Sequence, residues 1–458
     1  MRPHAERKLP AAVPRWFYAY IPVNIANGAT SPLIPLYMVI ALHASVLEVG
    51  LVFFVTALAA VPGSVVWGRL SDRLRKRRVF VLIGLASFGI TLPVMALTDS
   101  LLVYLAANAA LGFLQAAGAA TSSVLIMESF AERDWAREIG KFAQVSGVAF
   151  VAGLVAGACW FAAFPGLGGD HSALVLMFFF AAAMSLVSTA VGAISIKEGG
   201  RHVDRAHAVE VLAHLGHSIL ERRRAMFFRV THLPTFSLRG LRDHARGPTL
   251  AYCVGVFLLF TGFLVFNAPL PVFLLTDAGL AQSLIFWVYV ANSSVAAALY
   301  LPAGRRCESA SPRRLLAAGS LARTVIYPAC AAAVLLFGAG SAPTIVLLIA
   351  LNAAAGASWA YINVSGSVLA ARIAPPEAKA QVMGIYNAAI GAGSIAGSLI
   401  GGLLARQFSY FAVFSAASLV ILVGVAVIVR ASGDAARAPK GHGSQGGRLR
   451  GRASPRDL

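Results

Sequence analysis

Twelve long apolar runs, parted by short polar turns, constrain this chain more than anything else in it. A helix needs about 20 largely apolar residues to cross a hydrocarbon core of roughly 30 Å. Six runs reach that length before residue 197, at about 16–42, 46–70, 79–98, 101–127, 139–163 and 172–196. Six more follow at about 249–276, 281–303, 314–339, 343–371, 380–405 and 409–430. Backbone groups in lipid must find their hydrogen bonds within the segment, which predicts helices, and the period-2 alternation of a barrel is absent. Composition agrees: 12% of residues are charged and mean hydropathy is +0.74, where a soluble domain carries about 25% charge. The reading is an all-α membrane protein of twelve transmembrane helices.

The net charge of +19 would suggest nucleic acid in a soluble chain. Its placement argues otherwise. In a twelve-span topology 36 of the 38 Lys and Arg residues fall on one side; the exceptions are Arg323, inside the ninth span, and Arg406, at the eleventh turn. The opposite turns carry Glu48, Asp99, Asp170 and Asp277. The positive-inside rule then predicts a multi-pass protein of the cell membrane with both termini cytoplasmic, lipid as its partner and no nucleic acid. The expected organisation is an arm (1–15), a six-helix bundle (16–196), a basic linker (197–248), a second bundle (249–430) and a disordered basic tail (431–458). In the linker, Ala208, Val211, Leu212, Leu215 and Ile219 stand at helical spacing before Arg222, Arg223 and Arg224, as in an interfacial amphipathic helix. His214 and His217 share a face of it, but without a Cys or carboxylate cluster no metal site is expected. Cys159, Cys253, Cys307 and Cys330 lack metal-like spacing and read as small core residues. No cleavable signal peptide is expected, because the first apolar run is too long.

The two halves repeat. An offset of 236 lays Pro35 on Pro271, Gly68 on Gly304, Asp72 on Glu308, and Arg77 and Arg78 on Arg313 and Arg314. An offset of 244 lays Asn108 on Asn352, Gly112 on Gly356, Gly140 on Gly384, Gly147 on Gly391, Gly153 on Gly397 and Gly157 on Gly401. An even number of spans per half makes the repeats parallel, a plan that puts a solute site between them.

Between the second and third spans stands Gly68-Arg-Leu-Ser-Asp72-Arg73-Leu-Arg-Lys-Arg77-Arg78, with the degenerate copy Gly304 to Glu308 and Arg313-Arg314 in the second half. This resembles the loop signature of the major facilitator superfamily, with Arg75 in place of the signature's second Gly. The resemblance covers about residues 16–430. It implies a conformational gate: Asp72 accepting from the amino end of the eleventh helix near Ala380, and Glu308 meeting the start of the fifth between Glu138 and Lys141. Gly68 would let the end of the second helix approach a neighbour closely. The other reading of this stretch is a solvated basic turn that only sets orientation.

Gly147, Gly153 and Gly157 in the fifth span, and Gly391, Gly393, Gly397, Gly401 and Gly402 in the eleventh, predict close helix packing. Gly391 to Gly397 imitates a dinucleotide loop but lies inside an apolar helix, with no strand before it. Family antiporters often carry a Gly-Pro pair in the fifth helix, where Gly157 is here followed by Ala158. Gln115-Ala-Ala-Gly118 resembles the tail of an antiporter motif whose Arg position holds Gly112 or Asn108.

The resemblance implies a cavity lined by helices 1, 4, 7 and 10. The candidate solute ligands are Asn24, Asn27, Thr30, Asn108, Gln115, Ser122, Asn267, Trp359, Tyr361 and Asn363, with Asn292 and Asn387 from the flanks; each could instead bond a neighbouring backbone. No acid lies deep in those helices. Coupling would therefore run through Glu128 or Asp72, or the protein is a uniporter; no cofactor or metal is expected. The cavity reads as neutral and mildly polar, suited to an uncharged or amphipathic solute. Arg323 is expected to snorkel to the cytoplasmic interface, with a functional ion pair as the alternative. The expected function is a monomeric secondary carrier working by alternating access, leaning to efflux, with nutrient uptake and a non-transporting sensor as alternatives. An enzyme is not expected, since no catalytic cluster lies at membrane depth.

Overall fold

The computed structural model describes residues 15–74, 76–129, 135–164, 172–196, 248–373 and 379–437. After a short 3-10 turn at Arg15–Ala19, the first half is α1 (Tyr20–Ile40), α2 (Val46–Leu74), α3 (Arg77–Ala96), α4 (Leu101–Ser129), α5 (Trp135–Ala163) and α6 (Ser172–Ser195). The second is α7a (Pro248–Asn267), α7b (Leu270–Thr276), α8 (Gln282–Ser309), α9 (Pro312–Phe337), α10 (Ala342–Ile373), α11 (Lys379–Gln407) and α12 (Tyr410–Arg437). Among the described residues every regular element is a helix, and twelve spans are long and apolar enough to cross a membrane. The linker helix, the linker histidines and residues 438–458 lie outside the described residues.

Two boundaries differ from expectation. The seventh span is broken at Ala268 and Pro269. Pro269 and Pro271 lack the N–H groups that the Val265 and Asn267 carbonyls would bond in a continuous helix. The twelfth helix runs on to Arg437, past the boundary expected at 430.

Packing is duplicated contact by contact. In the first half α1 lies against α5 and α6, α2 and α3 against α4, and α3 against α6. In the second, α7a lies against α11 and α12, α8 and α9 against α10, and α9 against α12. The glycines explain how closely. A β-carbon on Gly112 would sit 2.4 Å from the Thr56 carbonyl oxygen, and one on Gly356 2.0 Å from that of Asn292. One on Gly153 would sit 2.1 Å from the Ile25 oxygen, and one on Gly397 2.3 Å from that of Thr261. Both pairs of contacts are related by the offsets of 236 and 244 read from the sequence. Lipid supplies no hydrophobic drive between helices, so backbone-to-backbone approach must come from dispersion, and any side chain there would hold the helices apart.

The halves meet along α2 with α11 and α5 with α8. Gly50 packs on Ser398 and Gly402, and a β-carbon on Gly157 would strike the Phe286 ring at 2.2 Å. These contacts lie at the end remote from the turn between α2 and α3. At the near end a β-carbon on Gly68 or Gly304, and nearer mid-helix one on Gly147, would meet nothing within 4 Å. The close approach expected of Gly68 and Gly147 is not made in this conformation. Gly391, between the two ends, only touches Val61, at 3.4 Å from a built β-carbon.

Some turns carry their own local chemistry. Ser45 and Glu48 form a reciprocal cap on α2: the Ser45 N–H donates to Oε2 of Glu48 at 2.6 Å, and the Glu48 N–H to Oγ of Ser45 at 3.4 Å. The turns after α7b and α9, which a twelve-span topology puts on one side, meet where the Gly340 N–H donates to Ala278 at 2.9 Å. Cys253, Cys307 and Cys330 are buried as expected, whereas Cys159 is exposed.

Candidate solute site

Two cavities sit at mid-depth, and the repeat relates them. The larger, about 550 Å³, is walled by α1, α2 and α4, with Phe88 of α3 at one edge; Leu264 and Ser394 of the second half close it. Its polar groups are neutral: Asn27, Thr30, Ser31, Thr56, Asn108 and Gln115 among them. Thr30 and Asn108 each donate one hydrogen bond to their own helix, to Ala26 at 2.8 Å and Tyr104 at 3.3 Å.

The smaller cavity, about 180 Å³, lies within the second half and shares Leu264 with the larger one. Phe263, Asn267, Asn292, Asn352, Ala355 and Trp359 line it. Under the same two offsets these are the counterparts of Asn27, Ser31, Thr56, Asn108, Leu111 and Gln115. Asn292 donates to the Asn352 carbonyl at 3.1 Å and Asn352 to Leu348 at 3.0 Å. Asn267, the last residue of α7a, donates to Phe263 at 2.7 Å.

Arg323 also lines this cavity, and the expectation that it snorkels is wrong. It stands about 16 Å from the start of α9 at roughly 1.5 Å per residue, is 4% exposed, and turns inward. Its Nε donates to Oγ of Ser358 at 2.9 Å, Nη1 to the Tyr327 hydroxyl at 2.6 Å and Nη2 to the Ala355 carbonyl at 3.0 Å. The guanidinium lies 4.8 Å from the Phe263 ring centroid and 5.2 Å from that of Trp359, each such contact worth about 0.5–2 kcal/mol. Tyr327 is itself stacked on Phe266, 3.7 Å apart. The site is therefore not neutral throughout.

Of the expected ligands, Asn27, Thr30, Asn108 and Gln115 line the larger cavity, and Asn267, Asn292 and Trp359 the smaller. The others line neither. Asn24 bonds Tyr20 on its own helix at 2.7 Å, Ser122 bonds Ala119, and Asn363 and Asn387 are exposed. Tyr361 accepts from Nη1 of Arg306 on α8 at 2.8 Å. Sequence reading missed Ser31, Thr56 and Asn352; the offsets would have led from Asn267, Asn292 and Asn108 to each.

At the gate, Nη1 of Arg77 donates to Oγ of Ser71 at 2.7 Å, Arg78 to the Ala193 carbonyl, and Arg313 to that of Val429. Arg73 and Arg314 are exposed. The side chains of Asp72, Glu308, Glu128 and Glu138 lie outside the described part of the structure.

Two parallel six-helix bundles around paired central cavities define a multi-pass carrier-like membrane protein. The Major Facilitator Superfamily profile matches residues 16–238 and 252–455, so the chain belongs to that family. By family and fold it is a membrane transporter. Solved structures similar to it include the nucleoside transporter NupG (12% identity, 91% of this chain and 98% of that one, TM-score 0.68). A POT family transporter in complex with a thioalcohol-conjugated peptide is 13% identical over 92% of this chain and 96% of its own, with a TM-score of 0.69. A bacterial homolog of the human lysosomal transporter Spinster, inward-facing and unoccupied, is 14% identical over 92% and 94%, with a TM-score of 0.64. At these identities the likeness establishes the fold. A search of curated proteins returns no match.

Proposed function

We propose that the protein is a secondary carrier whose halves rock about the central cavities, exposing a small amphipathic solute to each face in turn. The larger cavity carries this reading, because it lies where the halves meet and both contribute to its wall. Its mix of neutral amide and hydroxyl groups with Phe53, Phe88 and Leu111 suits a solute with an apolar body and a few polar atoms. Contact at Gly50 and Gly157 with open space at Gly68, Gly147 and Gly304 is what one end state of such a motion requires. The segregation of Lys and Arg orients the open end, and both termini, to the cytoplasm. The membrane proposed is the plasma membrane, the working unit a monomer, and the direction export, on the partial antiporter likeness of α4 and α5. Asp72 and Glu308 are proposed to bias the closed-gate state, with Glu128 or Asp72 as the coupling group.

The test replaces the four cysteines, places spin labels at Val65 of α2 and Asn387 of α11, and measures their separation in liposomes. A carrier gives two distance populations whose ratio shifts with a transported solute. One fixed distance, with no solute taken up or expelled, would remove the carrier reading.

A further inference from the structure

We propose that the smaller cavity is an anion site, in which Arg323 holds the carboxylate of an organic monoanion whose body extends past Leu264 into the larger cavity. The role in transport rests on the carrier reading above; the binding itself does not.

The starting point is an unbalanced charge. Arginine stays protonated at any working pH, and a buried cation requires a counter-charge or a very complete set of dipoles. Arg323 is buried at mid-helix, and its three bonds go to two hydroxyls and one carbonyl, all neutral. Among the described residues none of its partners is a carboxylate. The sequence offers none at that depth either: Glu48 is the one acid within the twelve spans, and it caps the first turn of α2. The spans therefore supply dipoles and rings but no counter-charge, and a ligand from outside the chain would provide one.

The donor geometry suits a carboxylate. A guanidinium has five N–H groups. Three are used, one on each nitrogen, which leaves one N–H on each terminal nitrogen. That pair matches the two oxygens of a carboxylate, which arginine takes in a fork. Asn292 spends one amide hydrogen on a backbone carbonyl and retains a second for the same ligand, whereas Asn267 is committed to the Phe263 carbonyl and the Tyr327 hydroxyl. One cation calls for one negative charge. The Phe263 and Trp359 rings beside the guanidinium then meet an apolar body, and Leu264, common to both cavities, marks its way into the larger one.

The repeat makes the site specific to one half. Ser87 and Thr91 of α3 stand where α9 has Arg323 and Tyr327, and they bond their own helix, to Gly84 at 2.8 Å and Ser87 at 2.9 Å. A residue needed only to pack the third helix of each half on its fourth would not have to be an arginine.

The test uses the purified full chain in detergent at pH 7.5, where carboxylic acids are ionised. The probes are benzoate, 4-phenylbutyrate and 6-phenylhexanoate, each beside its primary amide, with binding read by thermal shift and calorimetry. At least one carboxylate is expected to bind about thirtyfold or more tighter than its amide. Arg323→Gln should bring that ratio near one, and Arg323→Lys should leave it between the two, since a point charge replaces the fork. Equal binding of carboxylate and amide, no binding of either, or a folded Arg323→Gln protein that keeps the preference would each overturn the proposal. If Arg323→Gln does not fold, the wild-type ratio and the Arg323→Lys ratio decide. Uptake into phosphatidylcholine liposomes, whose lipid carries no carboxylate, separates the two readings. A carboxylate that binds and is never carried keeps the anion site and removes the carrier. Carriage of neutral solutes by a protein that binds no carboxylate does the reverse.

Discussion

The two halves share a skeleton and differ in the chemistry hung on it. Gly112 on Thr56 and Gly356 on Asn292 are the same contact made twice, as are Gly153 on Ile25 and Gly397 on Thr261. Yet the first half lines its cavity with Asn27, Ser31, Thr56 and Gln115, and the second with Phe263, Asn267, Asn292 and Trp359 around a buried arginine. Backbone-to-backbone contact admits no side chain, so those positions are held fixed by sterics in both copies. Cavity positions face empty space and carry no such restriction. After a duplication, divergence is confined to where packing permits it, and the two cavities are where it is permitted.

Gly112→Leu and Gly356→Leu should break the shared skeleton in either half. Each costs about 3 kcal/mol or more, because a carbonyl lies within 2.4 Å of the new β-carbon. Monodisperse protein should be lost on size exclusion, and tolerance in one half alone would end the equivalence. Next in size, Asn27→Phe with Gln115→Trp gives the first half the residues of the second. The fold should survive while solute affinity falls about tenfold, close to 1.4 kcal/mol, seen as a raised half-saturation in liposomes; unchanged affinity would mean that the larger cavity is not the site. Ser45→Ala should lower stability by about 1 kcal/mol, read from thermal melts. The counterpart start of α8, at Ala281, has no side-chain cap to lose, so Ala281→Gly should move the melt less. Smallest in stability are Gly68→Ala and Gly304→Ala, within about 0.5 kcal/mol after the gain in helix propensity. These should slow turnover if the open end closes during transport. Destabilisation as large as that of Gly112→Ala would show that these glycines are already packed.

The spans and the duplication were legible because lipid imposes a length rule on every helix and because the glycine offsets are sequence facts. The break in α7 was not. Pro32 and Pro35 stay inside α1, and nothing in the local composition of Pro269 and Pro271 sets them apart beforehand. Arg323 was placed on the right helix and aimed wrongly. Lipid and core are both apolar, so hydrophobic period says little about which side of α9 faces in; the inward face was marked by Ser320 and Tyr327, at helical spacing with Arg323, and by Ser358 on the neighbouring helix. The same ambiguity put Tyr361 and Asn363 among the solute ligands, although Tyr361 is tied to Arg306. Cys159 shows it again from the other direction, exposed where a core residue was expected.

The interruption at Ala268 and Pro269 divides the first helix of the second half, whereas α1 stays one helix through Pro32 and Pro35. Bending a continuous rod means stretching bonds along one flank, but at this joint the two that Pro269 and Pro271 would donate are absent from the start, while Ala268 still bonds Leu264 and Phe273 bonds Pro269. The seven residues of α7b form a separate short piece, held on α12 through Phe273 against Tyr410 and Phe414, while α7a is seated on α11 and α12. The aromatic rings and the amide that α7a gives the smaller cavity thus sit on the long piece of the helix, which ends one residue pair before α7b, where the backbone ladder is interrupted.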